Sequence, residues 1–499
     1  MSLKAKVTHG LKWKVIQIAG KQILSLVVFT TLARLLEPAA FGLVALISVY
    51  TYFASMLADA GIGVALVQRK NLAKAHIDSA FWFSVTSNGL LCIATILLAG
   101  PISSIMGEPK LTPLLRWASL GLVFSAFVSV QTNLFVKEMD FRSSVIRTLL
   151  GNAVGGAVGV GMAVAGFGVW ALVGQLLAGS LAGAVFMFTA SSYRPSFVFS
   201  FKHLRDLFGV GSTVLANAFI GFFASRLDQL VIGRVAGAPT LGLYVISTKV
   251  PEMVKATFFR PIVDVSIPAL AGLQEDHGKI RDAIRRGMEI HSVVMFAVFV
   301  GIAVTARDLV PLLFGTRWIS AGPVCSLLSI NYLVNALQVF FYPALLASGV
   351  TGKFVLYTVT QAAGVFVACI IGIHFGLLYL VAGLIINSLI MVIPAVVLLR
   401  HRIGMSPLQY GKPCFIPACG SILMAIVVWL ASAFLPAAFP LAVRVAVEVI
   451  SGAVVYSGFV FIFRRRVVED LIQAVRRVVT RRTSPVAAPR LDQETINSQ

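Results

Sequence analysis

The sequence predicts an all-α polytopic membrane protein with about fourteen transmembrane helices, two six-helix lobes followed by two further helices. Composition is the first reason. Of 499 residues, 58% are apolar and 12% charged, against about 25% charged in soluble domains. A soluble core stops growing near ~250–300 residues, so lipid must take up the remaining apolar surface. The second reason is repetition. Uninterrupted runs such as ILSLVVFTTLA from Ile23 and LLYLVAGLIINSLIMVIPAVVLL from Leu377 suit spans of about 20 residues. They do not suit the ~10-residue alternating strands of a membrane barrel. The third reason is the placement of lysine and arginine, which alternates from loop to loop.

Taken in order, spans are expected at 13–36, 41–67, 79–99, 111–136, 145–165 and 168–190 for the first lobe. The second lobe would hold 204–233, 239–269, 286–306, 320–348, 354–373 and 375–399, followed by 414–435 and 440–463. The amino end MSLKAKVTHGLKWKV is basic and lacks a small-residue cleavage site, so it reads as a retained first helix. Only Gly166-Phe167-Gly168 and the break at 373–376 separate their flanking spans. Glycine marks turns but is also common within membrane helices, so thirteen spans remain an alternative. The domain expectation is a lobe at 1–200, a second at 201–403, two added helices at 404–463 and a basic tail at 464–499.

With the amino end inside, the inside segments hold 29 lysines and arginines and the outside loops six, namely Arg34, Lys110, Arg116, Arg234, Arg307 and Arg317. The positive-inside rule therefore places both termini in the cytoplasm. The net charge of +21 is mostly this topology signal, with some attraction to anionic headgroups; it does not indicate nucleic acid. FRRRVVEDLIQAVRRVVTRR suits an amphipathic surface helix, and the residues after Thr483 read as disordered.

Sliding the chain by 200 residues lays TTLARLLEPAAFGLVALIS from Thr30 over LVIGRVAGAPTLGLYVIST from Leu230. Arg34 then meets Arg234, Gly42 meets Gly242 and Gln17 meets Asn217. Six spans per repeat give both halves the same orientation, a transporter architecture in which one half rocks against the other.

Ionisable groups inside a membrane cost at least ~2.5–3.5 kcal/mol and belong on the bundle interior. Span 1 places Gln17, Lys21 and Ser25 on one face, and span 2 carries Asp59 before Gly61 and Gly63. Span 7 has Asn217, Gly221, Ser225 and Asp228 on one stripe, with Arg226 expected to turn away. Span 8 is richest: Lys249, Glu252, Arg260 and Asp264 share a face with Lys255 at its edge, and Pro251 and Pro261 interrupt the helix. Span 9 adds Glu289 and His291, while Arg444 and Glu448 of span 14 are spaced to pair with one another. Lys21, Lys249, Lys255 and Arg260, with Gln17 and Asn217, are the candidates for a positive cavity that takes a diphosphate. Asp59, Asp228, Glu252 and Asp264 either pair with these cations or bind a coupling proton or sodium ion. Locking of helices by ion pairs is the structural alternative.

No catalytic or metal motif is expected. GNAVGGAVGVG from Gly151 is a packing stripe of Gly151, Gly155 and Gly159, since a nucleotide loop needs a strand and a lysine. The five cysteines, including Cys414 and Cys419, lack supporting ligands for zinc and form no disulfide framework.

Residues 30–71, TTLARLLEPAAFGLVALISVYTYFASMLADAGIGVALVQRKN, resemble the opening of bacterial polysaccharide flippases. These are the Wzx- or PST-type members of the multidrug/oligosaccharidyl-lipid/polysaccharide exporter superfamily, and the resemblance looks closest to the colanic-acid exporter branch. It rests on Arg34, Leu36-Glu37-Pro38, Phe41-Gly42, Asp59, Gly61 and Gln68, and in the second half on Arg226-Leu227-Asp228, Gly233, Gly242 and Tyr244. It implies an inner-membrane protein, not an enzyme, that moves undecaprenyl-diphosphate-linked oligosaccharides by alternating access. Lipids and the lipid-linked substrate would be partners, together with a polymerase and assembly proteins. No cofactor is implied beyond a proton or sodium gradient. The rivals are a flippase for the peptidoglycan lipid precursor, a cation-coupled drug exporter, a scaffold or polymerase, and an intramembrane enzyme.

Overall fold

The computed structural model describes 20–69, 72–138, 141–348, 351–436 and 439–480. Within these, no side-chain placement is given for 141, 208–214, 216–217, 260, 351, 468, 470–472 and 474–480. Twelve helical stretches among the described residues are long and apolar enough to cross a membrane. One of them, Ala218–Ala271, contains two spans that meet where Gly237 leaves helical geometry (φ 76°, ψ 174°). A further helix, described from residue 20 to 35, precedes them. The described residues thus form an all-α array of fourteen long helices, and both doubtful breaks are turns, with Gly166, Gly168 and Gly376 at positive φ.

We number the helices in chain order. The first lobe has α1 (20–35), α2 (Pro38–Asp59, followed by the short Ile62–Gln68), α3 (Lys74–Met106), α4 (Leu111–Lys137), α5 (Phe141–Val164) and α6 (Val169–Ala190). The second has α7 (201–236), α8 (238–271), α9 (His277–Phe314), α10 (Ala321–Ala347), α11 (Thr351–Phe375) and α12 (Leu377–Ile403). α13 (Pro407–Phe434) and α14 (Leu441–Thr480) follow.

Several helices outrun the apolar stretches that announce them. α9 has 38 residues and begins at His277, nine before its apolar run, because the charged GKIRDAIRR segment continues the helix beyond the lipid. Asp276 caps it by accepting a hydrogen bond from Lys279 N–H at 3.0 Å, which holds the Asp276 carboxyl below its ordinary value. Hydropathy marks the lipid crossing; capping marks where the helix starts.

The two lobes meet reciprocally on the face away from the arginine-rich loops. A Cβ on Gly42 would lie 1.8 Å from the Ala238 carbonyl oxygen, and one on Gly242 would lie 1.9 Å from that of Pro38. Residues 200 apart thus exchange contacts as two-fold related surfaces do. The Arg34 guanidinium donates to the Leu312 and Leu313 carbonyls (2.6 and 3.2 Å) at the end of α9. Arg234 reaches Gly107 at the end of α3, the corresponding helix of the first lobe. Trp318 donates to the Ala33 carbonyl (2.8 Å), and Glu108 accepts from Ala238 N–H (2.7 Å). Phe29, Phe41, Phe314 and Trp318 stack edge-to-face across this seam, so its closure is largely apolar.

On the basic face the connection between lobes is tied to α3. Asp78 accepts from the Tyr193 hydroxyl (2.6 Å) and from Ser196 N–H (3.2 Å). Burial and this carboxylate push the Tyr193 phenol well above its ordinary pKa.

α13 and α14 pack on α9. Here one expectation is corrected. The direct partner of Arg444 is not Glu448 one turn away but Asp308 of α9, at 2.7 Å, with Glu448 beside the pair. An interhelical carboxylate lets the guanidinium tie two elements together while both ends stay out of lipid. Tyr456 adds a hydrogen bond to the Val293 carbonyl (2.8 Å), and Arg464 pairs with Glu289 (3.3 Å). At Arg464 the last helix breaks (φ −140°, ψ 41°), where the apolar run gives way to the basic amphipathic segment.

Candidate functional site

A chamber of about 500 Å³ lies within the second lobe, walled by α7, α8, α10, α11 and α12. Local irregularities make room for it. α8 carries Pro251, and residues Lys255–Phe259 form a π turn, a widened geometry recurrent at functional positions. α10 loosens into turns at 337–340. Tyr342 and Phe354, at the chamber's basic end, lie within two turns of their helix termini. Asp228 and Tyr244 line it near the seam.

Its charges balance, with Arg226 and Lys255 against Asp228 and Glu252. The expectation that Arg226 turns away is therefore corrected: it lines the chamber beside Asp228. The strict 100° wheel placed it off the polar stripe, yet a long guanidinium side chain can reach round to the same space. Tyr244 donates to Asp228 at 2.5 Å, and Gln229 N–H to the other carboxylate oxygen at 2.8 Å. Lys255 stands over the Tyr332 and Phe259 rings at 5.5 and 5.8 Å.

The remaining polar wall is amide and phenol. Ser388 donates to Asn331 Oδ1 (2.8 Å), Asn335 Nδ2 donates to Ser388 Oγ (3.1 Å), and Tyr357 donates to Gln338. Sequence reasoning passed over these residues because single uncharged amides in apolar helices carry no periodic signal.

Lys249 does not line the chamber. Its ammonium lies 4.3 Å above the Phe29 ring and 3.5 Å from Ser25 Oγ on α1. Lys21 sits one turn before Ser25, close enough for the two charges to repel. From Lys21 a polar groove of about 300 Å³ runs between α5 and α6, lined by Arg147, Thr148, Asn152, Gln175 and Ser180. Its floor is the expected glycine stripe. A Cβ on Gly151 would sit 2.9 Å from Gly179 O and one on Gly155 2.6 Å from Gln175 O, so only glycine permits this approach. Arg147 Nε and Asn152 Nδ2 are buried without a hydrogen-bond partner. Among the described residues no carboxylate lies within 4 Å of Lys21, Lys249 or Arg147. Arg147 lies inside α5.

The other candidates separate. Asp59 turns back on its own chain, its carboxylate held by the Gly61 and Gly63 amides and Ser129, beside a crevice of only about 10 Å³. Asp264 is exposed and outside the chamber lining. Gln17 and the side chains of Asn217 and Arg260 lie outside the described residues. No group of three or more His, Cys, Asp or Glu suited to a metal occurs among the described residues.

Residues 31–323 match the family described as polysaccharide biosynthesis protein. The succinoglycan biosynthesis transport protein ExoT of Rhizobium meliloti is 26% identical over 65% of this chain and 66% of its own. The lipopolysaccharide biosynthesis protein WzxC of Escherichia coli K12 is 29% identical over 67% and 69%. These matches span about two thirds of each relative. In fold, the chain resembles the lipid II flippase MurJ in an inward closed conformation, with a TM-score of 0.76 at 13% identity over 92% of this chain and all of that one. An inward-facing multidrug transporter of the MATE family matches at 0.58 and 17% identity, over 77% and 94%. The matched family covers more than half of the chain, and the helical architecture agrees with it: the chain belongs to the polysaccharide biosynthesis protein family.

Proposed function

We propose that this protein moves lipid-linked oligosaccharides across the bacterial inner membrane by alternating access, supplying exopolysaccharide, O-antigen or capsule synthesis. It acts as a transporter, not an enzyme, and the motif at 30–71 favours the colanic-acid exporter branch. The carrying observation is the cation cluster at the lobe boundary: Lys21, Lys249 and Arg147 with no carboxylate within 4 Å among the described residues, beside orphaned Arg147 and Asn152 donors. A buried charge without a directly paired counter-ion is costly, and a lipid diphosphate supplies an anion to pair with, with Arg147 as fork and the lysines as point charges. The prenyl chain remains in the bilayer.

In this reading the basic face is cytoplasmic, as the loop bias requires, and both termini lie on that side. The lobes run 1–200 and 201–403, with 404–463 added and 464–499 as tail. Of the four coupling candidates, Asp228 and Glu252 face the chamber, whereas Asp59 lies beside a crevice of about 10 Å³ and Asp264 lies outside the lining, so Asp228 or Glu252 would take a proton or sodium ion. A polymerase would receive the flipped unit.

The test is leaflet transfer of fluorescent lipid-diphosphate oligosaccharide in liposomes. We expect Lys249→Ala and Arg147→Ala each to slow transfer at least tenfold, and Lys249→Arg to retain most of it. Transfer at the wild-type rate by the alanine pair would remove these residues from the mechanism.

A further inference from the structure

We propose that the chamber in the second lobe seats the sugar rings of the substrate, while the diphosphate stays outside it at the α1–α8 lysines. The inference rests on the transport reading and assigns a place within it.

The chamber is unsuited to a diphosphate. Two cations face two carboxylates, so its wall offers a dianion no net attraction. Sugar chemistry fits instead. A sugar hydroxyl donates and accepts at once, and a carboxamide presents both functions in one plane. Asn331, Asn335, Gln338 and Gln361 line the chamber from α10 and α11. Rigid aromatic faces suit the apolar C–H faces of pyranose rings, and Tyr342 and Phe354 (ring centroids 4.5 Å apart) supply them at the basic end.

These groups are held before a ligand arrives. Ser388 and Asn335 fix Asn331 and one another, and Tyr357 fixes Gln338. Ordering an amide on binding costs about 0.5–1.5 kcal/mol per side chain, and this network removes part of that cost. The volume of about 500 Å³ lies within the ~300–1,000 Å³ of small-ligand sites.

The location also matches the covalent structure of such a substrate. Lys249 and Glu252 are three residues apart on α8; the first faces α1 and the second lines the chamber. A rise of about 4.5 Å along α8 therefore separates the residue facing the diphosphate cluster from the one lining the chamber. The first sugar is bonded directly to the diphosphate, so the seat must begin within this distance.

The experiment compares two ligands for the purified full chain in nanodiscs. One is lipid-linked oligosaccharide extracted from the producing cells, the other polyprenyl diphosphate without sugars. We expect wild type to bind the first at least tenfold more tightly, and Gln361→Leu and Tyr342→Leu each to bring the two affinities together. Gln361→Glu, which preserves shape, serves if a leucine variant does not fold, and should also lose the difference. An intact difference in folded variants, or none in a wild type that binds polyprenyl diphosphate, overturns the seat and leaves the transport reading standing. A wild type that binds neither lipid overturns both.

Discussion

Arg444 allows two carboxyls to share the apolar boundary between α14 and α9. Asp308 and Glu448 are 8% and 3% exposed and lie within hydrogen-bond reach of one another, with the Arg444 guanidinium 2.7 Å from Asp308. Removing one member of a buried ion pair costs about 3–5 kcal/mol, because the partner charge stays behind. Arg444→Ala should therefore lower the thermal midpoint by several degrees, and the double change Arg444→Ala with Asp308→Asn should recover most of it. Equal midpoints for the single variant and wild type would show that the pair does not hold α14. Asp78 bears a different burden. At 2% exposure it accepts from Tyr193 and Ser196, and Asp78→Ala leaves two donors unpaired at about 1–3 kcal/mol each. Protease cleavage between 191 and 200 should quicken in that variant. An unchanged cleavage rate would mean the connection is held elsewhere.

At the scale of elements, the starts of α2 and α8 form the seam. Each presents a glycine where the other presents a carbonyl, and neither Gly42 nor Gly242 has room for a methyl group. Overpacking against backbone costs about 1–3 kcal/mol. The helices must separate, since neither carbonyl can move without breaking its own helix. Gly42→Ala or Gly242→Ala should raise hydrogen exchange at 36–44 and 236–244 together by about tenfold, because reciprocal contacts fail as a pair. A rise confined to the mutated strip would refute the reciprocity. Gly42 and Gly242 were legible as a repeat because the same close helix-to-helix approach must be built twice. What could not be read was their contact: periodicity reports which face is apolar, not which helix lies against it. The same limit explains Arg226 and Arg147. A helical wheel gives the direction of a Cβ, whereas long cations are placed by the space at their tips. The amides of the chamber were hidden for another reason, since Asn331 or Gln361 alone barely changes the hydropathy of its span.

For the molecule as a whole, the seam and the chamber together specify one state of a transport cycle. Trp318, Phe41 and the glycine contacts close the face opposite the basic loops, while the chamber extends to Tyr342 and Phe354, near the basic ends of α10 and α11. A site that opens on one side only is the condition for moving a solute without a leak. A single cysteine introduced as Gln361→Cys, with the five native cysteines replaced, measures this directly. Membrane-impermeant maleimide should label it in inside-out vesicles and spare it in right-side-out ones. Adding Gly42→Ala should bring labelling from the second side, since the loosened seam then exposes the chamber to both compartments over time. Labelling from the outside alone in the parent would reverse the orientation drawn from the lysines and arginines. Equal labelling from both sides in the parent would mean that the apolar seam does not seal.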